Sequence, residues 1–187
     1  MDAGDLVEGR RAIHNAFVIG GPPEDPAGVG RHKSAADAMR AIAERGFFIS
    51  RGDDSGTHKQ ELILWTAAGV DPGSIGRREE TGQGMGATLM VADQKRAYVL
   101  TDRATYLALR KRLSLSILFQ GDRTLLNVYH VYVVNPARHK AVNAAAARAF
   151  AAYLVSPAIQ RIIGDFKREE YGEPLFIPDA LPSSVKK

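Results

Sequence analysis

A short polar segment that follows an apolar stretch carries the clearest chemistry of this chain. Residues 50–59 read SRGDDSGTHK, so an arginine leaves a predicted strand and a glycine-containing turn presents hydroxyl groups where a helix is predicted to begin. Ligands of open α/β sheets bind beyond the carboxyl ends of the strands. The free N–H groups and positive dipole end of a helix N-terminus favour an anion there. The segment therefore predicts a site for a small anion.

Individual residues of this segment suit different parts of such a site. Arg51 supplies a fixed fork of donors, and Asp53 is expected to orient that arginine and not to contact the ligand. Ser55 and Thr57 can donate hydrogen bonds from their hydroxyl groups, while Gly56 lets the backbone approach an anion closely. Ser55 and Thr57 are also favoured helix-capping residues. A purely capping role is thus an open alternative, and it is compatible with anion binding.

A second glycine cluster, TGQGMG at residues 81–86, opens another predicted helix. It has the physical character of a phosphate-cradling loop but lacks the GK[ST] ending of a nucleotide-binding loop and the glycine spacing of a dinucleotide fingerprint. Its alternative interpretation is a flexible turn, because glycine clusters commonly mark loops. Two helix starts that each favour an anion are stronger support for an anion site than either one alone.

Catalytic and metal-binding chemistry is not predicted. The histidines are scattered without metal-ligand spacing; they are His14, His32, His58, His130 and His139. His58 acting as a base for Ser55 can be imagined, but a catalytic serine of this kind would need a G-x-S-x-G turn, which the segment lacks. We therefore expect no catalytic residue, no metal and no cofactor. A hydrolase is the least favoured alternative to a binding protein.

Composition narrows the function further. The chain has 187 residues, no cysteine, 45% hydrophobic residues and a net charge of +4, which suits a folded protein with an anionic partner. Basic residues alternate with acidic ones, as in RREE at residues 77–80, so nucleic acid is not an expected partner. The first residues lack an apolar core, and no signal peptide is predicted in this chain. No apolar run approaches the roughly 20 residues that span a bilayer.

Alternating strand and helix patterns predict an α/β protein with a largely parallel sheet. The predicted strands cover residues 16–21, 47–50, 97–100, 113–119 and 128–134. The predicted helices cover residues 34–45, 84–95, 102–112 and 138–155, with another from Ser156 and one that begins between Asp54 and Thr57 and ends before Gly69. In that last helix Thr57 and Gln60 have capping-box spacing, and Trp65 is expected in the core.

Two long motifs resemble the tungstate-binding proteins of ABC importers. They are FFISRGDDSGTHKQELILW and TGQGMGATLMVADQKRAYVLTDRATYLAL, supported by GDRTLLN, VNP, SPAIQRIIGDF and PLFIPDA. The likeness runs over residues 15–180 and implies a two-lobed fold of the type II periplasmic binding proteins. The R-x-D-x-S-G-T pattern is also similar to the anion turn of periplasmic phosphate-binding proteins. The resemblance thus implies a tetrahedral oxyanion as ligand, tungstate first, with molybdate or phosphate as alternatives.

The same resemblance implies site residues, a partner and a location. Arg51 and Thr57 should contact the anion, helped by Ser55 and the backbone N–H of Gly56. The backbone of Gln83, Gly84 and Met85 should complete this half of the site. An ABC permease is the implied partner, and the implied location is periplasmic or extracytoplasmic.

The chain departs from the family pattern in two places. The segment that normally begins the first lobe is not in this sequence, so residues 26–120 are expected to form a complete second lobe. Residues 1–25 with 121–187 are expected to form a first lobe that is incomplete at its N-terminal side. We expect self-association or a separate N-terminal piece to cover the exposed apolar surface, unless the chain is a sensor or interaction module that no longer transports. GDRTLLNVY at residues 121–129 replaces the family's GDPLLLNPY and is expected to alter the hinge.

Overall fold

The computed structural model describes residues 4–181 of the chain. The chain divides into two compact units, Ala16–Leu126 and a second one formed by Met1–Asn15 with Asn127–Lys187. The predicted boundaries lay at 25/26 and 120/121, inside the central unit. Residues 16–21 belong to the central unit because this segment pairs with strands on both of its sides. Residues 1–3 and 182–187 of the predicted incomplete lobe lie outside the described part.

The central unit is built on a mixed sheet. Its strands are β1 (Leu6–Gly21), β2 (Phe48–Ser50), β3 (Arg78–Glu80), β4 (Tyr98–Asp102) and β5 (Ser116–Phe119). They lie in the order β3-β2-β4-β1-β5, with β2 parallel to β3 and β4, and β1 antiparallel to β4 and β5. The predicted parallel arrangement therefore holds for every one of these strands except β1. Strands β2 to β5 each follow a helix that carries the chain back to the same end of the sheet, as parallel pairing requires.

Side chains cap the N-termini of three of the four helices between these strands. They are α1 (Ala35–Arg45), α2 (Gly56–Ala68), α3 (Met85–Lys95) and α4 (Arg103–Leu109). Ser55 caps α2 by accepting the N–H of His58 at 3.3 Å. The predicted capping box of Thr57 and Gln60 is absent, because the Gln60 amide instead donates to the backbone oxygen of Thr124 at 2.6 Å.

Both faces of the central sheet are covered by apolar side chains. One cluster contains Phe48, Trp65 and Leu100, and the other contains Ile49 and Val99. Adjacent strand residues therefore point to opposite clusters, as the two-residue period of a strand requires. The predicted core position of Trp65 is confirmed, since it is fully buried and meets the Phe48 ring edge-on at 5.1 Å between centroids.

The second unit contains the first part of β1 with β6 (Leu126–Val134) and β7 (Ile177–Pro178), both of which pair with β1. Its helices are α5 (Ala144–Leu154), α6 (Pro157–Asp165) and α7 (Arg168–Tyr171). Helix α5 begins later than predicted, because the Asn143 side chain caps it by accepting the N–H of Ala146. Large apolar side chains of this unit are exposed, among them Phe150, Tyr153, Ile162 and Phe166. No helix within residues 4–181 is long and apolar enough to cross a membrane.

Candidate anion-binding site

Two polar turns lie next to each other at the carboxyl ends of two strands of the central sheet. Because β2 and β3 are parallel, their carboxyl ends lie side by side. The first turn, residues 51–55, follows β2 and leads into α2, and the second turn, residues 81–84, follows β3 and leads into α3. Two helices therefore begin at the same end of the sheet, beyond the carboxyl ends of the strands, which is where ligands of such sheets bind.

Hydrogen bonds connect the two turns directly. The N–H of Thr81 donates to the backbone oxygen of Ser50 at 3.0 Å, and the N–H of Gly82 donates to that of Arg51 at 2.8 Å. The side chain of Arg51 reaches across, with Nε donating to the backbone oxygen of Gln83 at 3.3 Å. The predicted ligand groups of the two turns are thus brought together at Arg51.

The guanidinium of Arg51 is held from within its own turn as well. Its Nη2 donates to Oδ2 of Asp53 in an ion pair that is mostly shielded from solvent. The other carboxylate oxygen of Asp53 accepts the N–H of Ser55 at 3.2 Å. Hydrogen bonds from the Ser55 side chain and backbone, with the nearby charge of Arg51, hold the pKa of Asp53 below its usual value. Asp53 is therefore an ionised partner that orients Arg51.

The N-terminus of α2 presents backbone donors beside this arginine. A helix leaves its first N–H groups without intrahelical acceptors, and the Ser55 cap uses only that of His58. The N–H groups of Gly56 and Thr57 are the remaining donors of this helix start. A Cβ atom built on Gly56 would meet no heavy atom within 4 Å, so the space beside it is open. Thr57 itself is buried.

The second turn is held together by threonine hydroxyl groups. Thr81 Oγ1 lies 2.8 Å from Thr88 Oγ1, and Thr88 also donates to the backbone oxygen of Gly84 at 3.2 Å. The N–H of Gln83 donates to Thr81 Oγ1 at 3.3 Å, so this predicted ligand donor already has an acceptor inside the turn. The N–H of Met85, the first residue of α3, extends the donor set that was predicted for this turn.

A buried polar cluster under the first turn was missed by sequence reasoning. Glu61 is fully buried and accepts hydrogen bonds from the hydroxyl of Ser50 and, at 3.1 Å, from the N–H of Arg51. Arg78 donates to the same Ser50 hydroxyl at 3.1 Å. Burial raises the pKa of Glu61 to about 7, against the opposing effects of these hydrogen bonds and of both arginines. The burial of Thr57, Leu64, Trp65 and Ala68 marks the inward face of α2 at helical spacing, and Glu61 falls on that face.

The geometry does not assemble catalytic chemistry around the first turn. His58 Nδ1 accepts the N–H of Asp54 at 3.0 Å, while the Ser55 hydroxyl accepts the N–H of His58. The ring nitrogen that a general base would use is therefore committed to the turn itself. Among residues 4–181, no group of three or more His, Asp and Glu side chains is arranged to hold a metal ion.

Comparison with known proteins assigns the chain to a class. The family model described as "PBP superfamily domain" matches residues 3–158, and the chain belongs to this superfamily. It is 41% identical over 181 residues to the tungstate-binding protein TupA of Peptoclostridium acidaminophilum, an alignment that covers 95% of this chain. It is 46% identical over 181 residues, 94% of its length, to a Haloferax volcanii protein whose name connects it with an ABC transporter and anion binding.

A solved structure extends the likeness to three dimensions. The tungstate-binding protein TupA from Desulfovibrio alaskensis G20 has 40% sequence identity and a TM-score of 0.80, with 96% of this chain and 73% of that chain covered. The chain spans 63% of the Peptoclostridium relative and 52% of the Haloferax relative. The fold is thus that of a type II periplasmic binding protein, over part of the length of these relatives.

Proposed function

We propose that this chain binds a tetrahedral oxyanion, tungstate first, as the solute-binding component of an ABC transporter. The observation that carries the proposal is the position of Arg51, which is fixed by Asp53 and by the backbone oxygen of Gln83 between two helix N-termini. The names of the relatives from Peptoclostridium and Desulfovibrio, which say tungstate-binding, support this choice of ligand.

The proposed ligand contacts follow from the hydrogen-bond donors of the two turns. Arg51 would supply charge-assisted bonds, and the backbone N–H groups of Gly56 and Thr57 would bind at the start of α2. The hydroxyl group of Thr57 adds a donor, and that of Ser55 would add another on turning from Asp53 to the anion. The backbone N–H groups of Gly84 and Met85 would complete this half of the site, and that of Gln83 would join them only by leaving Thr81. No covalent step, metal or cofactor is involved, so the proposed role is binding and not catalysis.

Charge and protonation favour an oxyanion that carries no proton. The carboxylate of Asp53 is occupied by Arg51 and Ser55, and that of Glu61 by Ser50 and Arg51. Phosphate near neutral pH retains a proton that would need an acceptor, whereas tungstate and molybdate need only donors. Tungstate is therefore preferred, molybdate is the nearest alternative, and phosphate is a third.

The proposed partners extend beyond the anion. An ABC permease would receive the ligand in a periplasmic or other extracytoplasmic compartment, as the resemblance implies. The exposed Phe150, Tyr153, Ile162 and Phe166 of the second unit support a further expectation, that another polypeptide covers this apolar surface. Self-association is one way to do so, and light scattering that shows a monomer at all concentrations would exclude it.

A thermal-shift titration tests the proposed ligand. Tungstate, molybdate, phosphate and sulfate are compared on the native chain, on Arg51→Ala and on the control Arg45→Ala. Arg45 is exposed at the end of α1, which leads into the opposite end of β2, so its removal matches the charge change away from the turns. A ligand at a hundred times its dissociation constant adds about 2.7 kcal/mol of stability.

The expected result is a large shift with tungstate that Arg51→Ala abolishes and Arg45→Ala retains. No shift of the native chain with any of these anions would overturn the proposal. A shift with tungstate that survives in Arg51→Ala would place binding elsewhere. If tungstate binds but a transport assay shows no uptake through a permease, the alternative of a sensor or interaction module is preferred.

A further inference from the structure

A buried carboxyl group connects the helix and the arginine of the proposed site. Glu61 lies five residues after Gly56 in α2, about 7.5 Å along the helix axis. One carboxyl oxygen accepts the N–H of Arg51, and the other bonds to the hydroxyl of Ser50, the last residue of β2. Glu61 thereby connects the donors at the start of α2 to the point where Arg51 leaves the sheet.

The network continues from Glu61 into the neighbouring strand. Arg78 of β3 donates to the Ser50 hydroxyl at 3.1 Å and also to Glu80 at 2.6 Å. The backbone of Ser50 accepts from Thr81 in the second turn. A single fully buried carboxyl group therefore lies at the centre of the contacts that set the spacing between both turns.

We propose that Glu61 is a positioning residue of the anion site, and that its charge sets the pH range over which the site binds its ligand. This inference rests on the proposed oxyanion function. The first half follows from the hydrogen bonds, because losing them frees Arg51 from α2. The second half follows from the burial, because a charge that is shielded from water acts strongly on another charge nearby.

Few charged groups surround Glu61. Arg78 from β3 and Arg51 after β2 act on it electrostatically. On its own helix Thr57 and Trp65, one turn away, are uncharged, and the ring of His58, three residues before Glu61, accepts the N–H of Asp54. The residues of β4 from Tyr98 to Thr101 are uncharged as well. From α1, Arg40 donates to the backbone oxygen of Ala68 at the far end of α2.

The protonation of Glu61 changes within a physiological range. Burial raises the pKa of Glu61 to about 7, so the group is neutral below this pH and ionised above it. A bound oxyanion adds negative charge on the far side of Arg51 and favours the neutral form. Anion affinity is therefore expected to fall as the pH rises through about 7, and anion binding takes up protons there.

Binding measurements at several pH values test both halves of the proposal. Dissociation constants for tungstate and for sulfate are measured by calorimetry between about pH 6 and about pH 8 on the native chain, Glu61→Gln and Glu61→Ala. Sulfate is included because it stays doubly charged across this range. Glutamine is neutral and has the shape of protonated glutamate, with an oxygen for the Arg51 N–H and an amide for Ser50.

A matched control removes a carboxylate elsewhere in the same unit. Glu79 is exposed and pairs with Lys95 at 2.6 Å. Glu79 lies between Arg78 and Glu80 in β3, and the two-residue period of a strand turns its side chain to the opposite face, toward Lys95 at the end of α3. Glu79→Gln removes the same charge without touching the network.

The native chain and Glu79→Gln are expected to lose about fivefold in affinity across this range, since one pKa unit of coupling gives a factor of ten only well outside the two pKa values. Glu61→Gln should keep the low-pH affinity at every pH, and Glu61→Ala should bind about tenfold more weakly without pH dependence. A native pH profile in Glu61→Gln would overturn the role of the charge, and native affinity in Glu61→Ala would overturn the positioning role. Failure of every form, the native chain included, to bind either anion would instead overturn the proposed function and this inference with it.

Discussion

The two turns of the candidate site are stabilised in different ways. The first turn is held by charged groups, with Arg51 bonded to Asp53 and a buried Glu61 beneath it. The second turn is held by the hydroxyl groups of Thr81 and Thr88 and by backbone contacts. The difference suggests a division of labour, in which the first turn provides charge and orientation and the second turn provides backbone donors on a neutral frame.

The largest expected effect comes from removing the arginine of the first turn. Arg51→Ala deletes up to two charge-assisted hydrogen bonds to an anion, each contributing about 2 kcal/mol, so tungstate binding should weaken by about 4 kcal/mol. Arg51→Lys keeps the charge but loses the planar fork, and it should recover only part of the loss. Calorimetry with both variants measures this. Native affinity in both variants would mean that neither charge nor geometry at this position matters.

The next effect concerns stability and does not need a ligand. The pKa of Glu61 rises from 4.5 in the unfolded chain to about 7 in the folded one, so the folded state holds the proton more tightly. The stability from this group is therefore fully present below about pH 4.5, and about 3 kcal/mol is lost as the pH rises through about 7. Urea unfolding across this window should show the loss relative to Glu61→Gln. The difference in stability between the native chain and the exposed control Glu79→Gln should show no such trend with pH.

Alanine substitutions at one glycine of each turn distinguish the cost of steric crowding from the cost of a left-handed backbone. Gly52 has a φ of +59° and a Cβ built there would lie 2.7 Å from Glu80 Cβ, whereas Gly82 has a φ of +62° and open space. Gly82→Ala should cost about 1 kcal/mol for the left-handed backbone alone, and Gly52→Ala about 2 kcal/mol. Chemical denaturation of both variants tests this. If the two cost the same, the first turn is not more tightly packed than the second.

The smallest expected effect lies in the second turn. Thr88→Val removes the hydroxyl that bonds to Thr81 and to the backbone oxygen of Gly84, and it should cost about 1 kcal/mol of stability. Thr88→Ser keeps the hydroxyl and serves as the control. Tungstate affinity should change by only a few fold, because Arg51 stays in place. A loss as large as that of Arg51→Ala would remove the division of labour between the turns.

Much of the fold was accessible from local patterns. The capping position of Ser34, the glycine at the end of α2 and the buried Trp65 follow from local propensity and helical spacing. The boundaries between units were less accessible, since residues 16–21 lie in the central unit only through their pairing with β4 and β5. Pairing between distant segments leaves no local signal in the chain. The same reason explains why the reversed direction of β1 was not predicted.

The sequence by itself determined which residues could bind an anion and that they would follow strands, because strand, glycine turn and helix start are contiguous in the chain. It also carried the family resemblance, which the superfamily match supports. Only the tertiary structure decided that Arg51 contacts Gln83, that the Gln83 N–H is occupied by Thr81, and that Glu61 lies beneath the turn. Those contacts join residues up to 32 positions apart, and the buried charge of Glu61 acquires its raised pKa only where folding excludes water.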